Sequence, residues 1–139
     1  MELQLYFHNK EVELLPETVF EFLNSDQWFK NNINGLSRIS YESNSENVRD
    51  EGTPFVLTYN GTDYKGKIDK YVENRRLEFT IFGYDYIIKT MINIVPVESR
   101  SEVVISSVLE THSVSTLLKF GARKFSITKQ LNDVIKPMY

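Results

Sequence analysis

Four hydroxyl side chains, Tyr59, Tyr86, Thr90 and Ser107, fall at the same parity as apolar residues in segments where polar and apolar positions alternate. The parity that turns Phe55, Leu57, Phe79, Ile81, Ile88, Ile92, Val103, Ile105 and Leu109 toward an interior turns these four inward as well. A buried hydroxyl with no hydrogen bond costs about 1–3 kcal/mol, so each needs a partner. Backbone or ordered water is the ordinary partner. The alternative is the polar group of a bound molecule, an assignment that belongs to the set and not to any one member. Acid–base candidates are weaker. His112 stands two residues from Glu110, but that parity is opposite to Leu109 and places the pair outward, at a solvated strand end. No Asp, Glu or His is inward by parity, so a tuned general base is missing from the expected interior. Two histidines, no cysteine and no acidic cluster at ligand spacing give no reason to expect a metal site. No phosphate-binding glycine loop or serine-nucleophile motif occurs, and no cofactor is expected. Glu46, Asp50 and Glu51 read as a solvated acidic loop.

The elements that must position these hydroxyls follow from the same alternation. Leu3, Leu5 and Phe7 share one parity, Val12 and Leu14 the other, and a bulge near Asn9 and Lys10 would reconcile them within one bent strand. Pro16 suits a first helical position, with Glu17 in the first turn and Val19, Phe20 and Leu23 at helical spacing. A second short helix is expected with Asp26 as N-cap, carrying Trp28 and Phe29 and ending before Gly35. Leu36 to Ser43 reads as a strand and Asn44 to Gly52 as an exposed loop.

From residue 53 to residue 111 strands dominate. Phe55, Leu57 and Tyr59 share a face; so do Tyr64, Gly66, Ile68 and Val72; so do Tyr86, Ile88, Thr90, Ile92 and Ile94. The separators are Asn60-Gly61, Glu73-Asn74-Arg75, Gly83 and Pro96 to Ser101. Connections this short make neighbours antiparallel. Ser113 is the expected N-cap of a last helix reaching Met138. On its wheel Val114, Leu117, Leu118, Gly121, Phe125 and Ile135 cluster beside a stripe of Phe120, Ile127, Leu131, Val134 and Met138. So wide an apolar arc predicts a helix enclosed by the sheet and the small helices. Gly121, costing about 1 kcal/mol relative to Ala inside a helix, suggests close approach of the sheet or room left there for something else.

Bulk composition agrees. A chain of 139 residues suits a single domain over residues 1–139, and 13% aromatic residues suit a sheet-rich core. A net charge of −3 argues against a nucleic-acid partner, which requires surplus Lys and Arg. No apolar stretch approaches the ~20 residues of a membrane span, so no integral membrane association is expected, and a cytoplasmic location is the default. The Asn60-Gly61-Thr62 triplet reads as a turn rather than a glycosylation acceptor.

Strand, two small helices, meander and long C-terminal helix, in that order, resemble the helix-grip domains of the START-like superfamily, also described as polyketide cyclase/dehydrase and lipid-transport proteins and including the Bet v 1 allergens. The resemblance rests on the run Val12 to Leu23 (VELLPETVFEFL), on Trp28 and on Gly52-Thr53-Pro54-Phe55, with Gly61 and Gly66 in agreement. Glu98-Ser99-Arg100-Ser101 departs from the Gly-Thr pair common in the family at that turn. The length and the run from Leu117 to Leu131 look most like the short bacterial members. The fold so implied is α+β: a curved antiparallel sheet of about seven strands wrapped around the last helix, with two short helices after strand one.

The resemblance implies a hydrophobic pocket between sheet and helix, without selecting the ligand. The expected function is binding or transport of a small apolar molecule such as a lipid, a quinone or a polyketide-like compound. The residues expected to line the site are Trp28, Phe55, Leu57, Tyr59, Phe79, Tyr86, Ile88, Thr90, Ile105, Ser107, Leu117 and Gly121. Trp28 would line the mouth or plug the core. Two other readings follow from the family: a cyclase or dehydrase using a pocket tyrosine as acid, and a co-chaperone-like interaction domain. The last is disfavoured because the outward Lys65, Lys67, Asp69 and Lys89 form ordinary solvated faces with no evident apolar patch. The sequence leaves the oligomeric state open.

Overall fold

The computed structural model describes residues 1–42 and 50–138. Strand β1 (Glu2–Val12) leads to helices α1 (Pro16–Leu23) and α2 (Asp26–Asn32), then to strands β2 (Leu36–Tyr41), β3 (Pro54–Tyr59), β4 (Thr62–Val72), β5 (Arg76–Phe82), β6 (Tyr86–Val97) and β7 (Arg100–Thr111). Helix α3 (Val114–Ile135) and a final 3-10 turn, Lys136–Met138, close the chain. The strands form one antiparallel sheet in the order β1-β7-β6-β5-β4-β3-β2, so β1 pairs with the last strand rather than with its neighbour in sequence. This is the helix-grip arrangement expected from the order of the segments. Part of the expected loop Asn44 to Gly52, including Glu46, and Ser43 at the expected end of β2 lie outside the described residues.

Local chemistry sets most boundaries. Pro16 opens α1, where a missing N–H costs nothing, and Val19, Phe20 and Leu23 are buried beneath it. Ser25, not Asp26, caps α2: its hydroxyl accepts from the Trp28 amide at 3.2 Å, and Asp26 becomes the first helical residue. Ser113 caps α3 by accepting from the Thr116 amide at 3.3 Å. Asn60 and Gly61 both have positive φ, 50° and 80°, and make the tight turn between β3 and β4. The last hairpin is shorter than its Pro96 to Ser101 separator implied. Pro96 remains in β6 opposite Ser101, and the chain reverses at Glu98-Ser99, with Glu98 at φ 56°.

Among the described residues the register breaks three times, once in β2 between Leu36 and Arg38 and twice where the break redirects core faces. The break in β1 register falls between Gln4 and Tyr6, not near Asn9 and Lys10. Leu5 is the extra residue, so Tyr6, His8 and Val12 become buried while Phe7 is left 57% exposed. His8 therefore faces the interior, against the expectation that no histidine does. In β4 the register shifts between Ile68 and Lys70. Tyr71 turns inward against Phe20, and Val72 turns out. Alternation within each strand is legible in the sequence; the residue that interrupts it is not, because an Leu-Tyr or an Ile-Asp pair scores alike on either side of a bulge.

The core gathers at one end of the concave face. Val12, Val19, Phe20, Leu23, Leu77, Ile92, Ile94, Val103, Ile135 and Met138 form it, drawn from β1, α1, the sheet and the end of α3, and Tyr6, Phe55, Ile68 and Ile105 continue the same cluster along the sheet. Ser101, fully buried there, donates to the Leu14 carbonyl at 2.7 Å and fastens the segment leading into α1. Helix α3 is not enclosed as its apolar arc predicted. Val134 and Ile135 are its buried residues, whereas Val114, Leu118 and Phe125 are 60%, 67% and 84% exposed.

Candidate functional site

Hydrogen bonds at both ends hold α3 across the sheet. At its start, the Thr116 hydroxyl donates to Asp85 at 2.8 Å, and the Phe120 ring meets Tyr86 edge-on with centroids 4.9 Å apart. Toward its end, Tyr6 donates to Asn132 Oδ1 at 2.7 Å and the Trp28 indole donates to the Val134 carbonyl at 3.2 Å. Gln130 donates to the Asn34 carbonyl at 3.3 Å. Between these anchors the concave face divides. Ile92, Ile94 and Val103 lie at 0–3% exposure, but Leu57, Phe79, Ile81 and Ile88, on the same face, remain only partly buried, while Leu109, opposite Ile88 on β7, is fully buried. Ile88 falls in the same range as Ile87 on the convex face, although it shares the concave face with Leu109, its partner on β7. Phe79 and Ile88 belong to inner strands, so edge effects do not explain their accessibility.

Aromatic side chains frame this open end. Phe55 lies on Gly66 and Tyr86 on Gly83, each so closely that a Cβ on the glycine would overlap the ring. Those glycines give flat seats to the rings opposite or beside them. Tyr86 is thus fixed between Gly83 and Phe120. Burial raises the pKa of its phenol above the usual tyrosine value, and the nearby Tyr64 and Asp85 add to the effect. Tyr86 is a neutral donor at any ordinary pH.

The four inward hydroxyls separate into two kinds. Thr90 and Ser107 stand opposite each other on β6 and β7, and their hydroxyls are 2.8 Å apart, so each supplies the other's partner. The hydroxyls of Tyr59 and Tyr86 make no hydrogen bond among the described residues, and neither does that of Tyr64, which faces the same side from β4. Tyr64 was absent from the expected lining set, although its parity with Gly66 and Ile68 carried the signal.

The remaining expected positions are distributed as follows. Phe55, Ile105 and Ser107 are buried in the sheet surface, and Leu117 is partly buried on α3. Trp28, partly buried, packs on Phe22 at 4.6 Å between centroids and donates to the Val134 carbonyl at the end of α3. Gly121 is exposed, with nothing within 4 Å of where a Cβ would stand, so neither close approach of the sheet nor adjacent room accounts for it. His8 lies opposite Ile105, stacked parallel to Tyr6 with centroids 6.4 Å apart. Burial first, and Lys10 second, lower its pKa below the usual histidine value. His112 is exposed, and Glu110 beside it pairs with Lys89 at 3.5 Å. An open depression of about 590 Å³ lies at this same end of the sheet, lined by Gly83 to Ile87, Met1, Glu2 and Glu110 to His112, so that Tyr86 borders it too. Among the described residues no three acidic, His or Cys side chains gather to hold a metal, and no helix is long and apolar enough to cross a membrane.

No family model and no curated protein matches the sequence. Solved structures do match. The chain aligns with Ara h 8.0201 at a TM-score of 0.69 and 12% identity, covering 99% of this chain and 98% of that one. A START superfamily protein from Mycobacterium smegmatis gives 0.66 at 10% identity over 95% and 94% of the two chains. The Zhui aromatase/cyclase from Streptomyces sp. R1128 gives 0.69 at 10% identity over 99% and 94%. The fold is therefore START-like, of the type shared by these proteins.

Proposed function

We propose that the protein binds a small apolar molecule carrying a polar group, held in the open end of the concavity between the sheet and α3. The observation that carries this reading is the contrast along one sheet face, between Ile92, Ile94 and Val103, which are closed off, and Phe79, Ile81 and Ile88, which are not. Leu57, Phe79, Ile81, Ile88 and Leu117 would supply apolar contact. Burying about 300 Å² of ligand surface is worth roughly 7 kcal/mol, of which association consumes at least about 4. The balance is weak binding, so hydrogen bonds from Tyr59, Tyr64 and Tyr86 would have to supply further affinity and the selectivity. These hydroxyls have no partner among the described residues to give up. Lipids, quinones and polyketide-like compounds have the required form.

Carriage is favoured over catalysis by what surrounds the open end. Tyr86 can donate to a carbonyl, but the one inward imidazole, His8, lies on β1 opposite Ile105, stacked on Tyr6 and beside the closed core. Native mass spectrometry of gently purified protein tests the proposal. A retained adduct of a few hundred daltons, displaced from an Ile88→Phe variant, is expected. A bare mass, together with no binding across a panel of fatty acids and quinones, would refute it.

A further inference from the structure

The outer side of α3 carries a second apolar surface. Val114, Leu118, Gly121, Ala122 and Phe125 occupy an arc of about 100° on the helix, opposite the stripe of Phe120, Ile127, Leu131 and Val134 that faces the sheet. All five are exposed, Leu118 by 67% and Phe125 by 84%. Isolated exposed apolar residues need no explanation, but a stripe running three turns along one helix face marks a surface that meets something.

Charge identifies the kind of partner. Lys119, Arg123, Lys124 and Lys129 are the only charged residues of α3 before Asp133, in a chain whose net charge is −3. All four are exposed, and none is in an ion pair among the described residues. By helical spacing Lys129 follows Phe125 one turn on, Lys119 and Arg123 flank the stripe on one side, and Lys124 flanks it on the other. Two such helices face to face would bring like charges together, which disfavours a second copy of the chain. An apolar stripe bordered by long basic side chains fits an interfacial helix, whose Leu and Phe enter the acyl boundary while Lys and Arg reach anionic headgroups. The helix would lie on the bilayer, consistent with its being too polar to cross it.

We infer that the outer face of α3, centred on Leu118 and Phe125, docks the protein reversibly on an anionic phospholipid surface. This docking goes beyond ligand binding and stands without it. Its test is co-sedimentation of the full chain with vesicles of phosphatidylcholine alone or with 30% phosphatidylglycerol. Binding is expected to the anionic vesicles only, weakening by about fivefold or more between 50 and 500 mM NaCl. The Leu118→Ser/Phe125→Ser variant should bind about tenfold more weakly or worse, with thermal unfolding unchanged because both side chains are solvent-facing. Should that variant unfold, Lys119→Glu/Lys124→Glu carries the same test, and its binding should also collapse. Absence of sedimentation with anionic vesicles at 50 mM NaCl, or undiminished binding by the variants, would overturn the inference. So would a dimer in analytical ultracentrifugation that Leu118→Ser/Phe125→Ser dissociates. None of these outcomes bears on whether the interior holds a ligand.

Discussion

Enlarging one isoleucine at a time distinguishes a closed interior from an open one. Ile88 and Ile94 lie on the same strand and the same face, six residues apart; Ile94 is 1% exposed, and Ile88 is only partly buried. Replacing Ile94 by Phe forces extra volume among Leu77, Ile92, Val103 and the end of α3, all packed. Overpacking of that kind costs about 1–3 kcal/mol. The same change at Ile88 meets accessible space beside Phe79 and Ile81, so the ring enters without displacing its neighbours. The added apolar contact should leave stability within about 0.5 kcal/mol of wild type, the range of changes that strain nothing. Urea unfolding with a shared m-value measures both. The prediction is a large loss for Ile94→Phe and almost none for Ile88→Phe. Equal losses would mean that the interior beneath α3 is filled, and the reasoning from accessibility would be refuted.

Three further outcomes follow from named contacts. Tyr86→Phe should leave urea stability within about 0.5 kcal/mol, because its hydroxyl has no partner among the described residues, while ligand affinity falls about two- to tenfold for one lost hydrogen bond; equal affinity in a titration would remove Tyr86 from the site. Ser107→Ala breaks the 2.8 Å pair with Thr90 and should cost about 1 kcal/mol of unfolding free energy even without ligand. The fold holds the His8 pKa below its unfolded value, so the unfolded chain takes up that proton first as pH falls below about 6.5. Stability contributed by His8 is present above that pH and declines below it until the folded imidazole protonates too. His8→Gln should flatten the pH dependence as pH falls below about 6.5, and a slope identical to wild type would contradict the burial of His8.

Much of the fold was legible in the sequence, since period-two alternation and turn residues mark β3 to β7, and Pro16 and Ser113 mark helix starts. The bulges at Leu5 and Asp69 were not, because a one-residue insertion leaves composition unchanged while inverting every later side chain. Parity alone therefore turns His8 outward and Val72 inward, opposite to the faces they occupy. The wheel of α3 gave a wide apolar arc correctly but could not say that half of it faces solvent: apolarity does not distinguish a side chain waiting for a core from one waiting for another surface. The lining hydroxyls were placed by parity, yet only coordinates separate Thr90 and Ser107, which satisfy each other, from Tyr59 and Tyr86, which satisfy nothing within the described chain.

The central claim is the unfilled space between α3 and the sheet, and dissolved molecular oxygen probes it without assuming a ligand. In methyl-labelled protein, paramagnetic relaxation by oxygen should be strong at Leu57, Ile81 and Ile88 and weak at Ile92, Ile94 and Val103. Uniformly weak relaxation at all six, with enhancement confined to the outward Val114 and Leu118, would contradict the account.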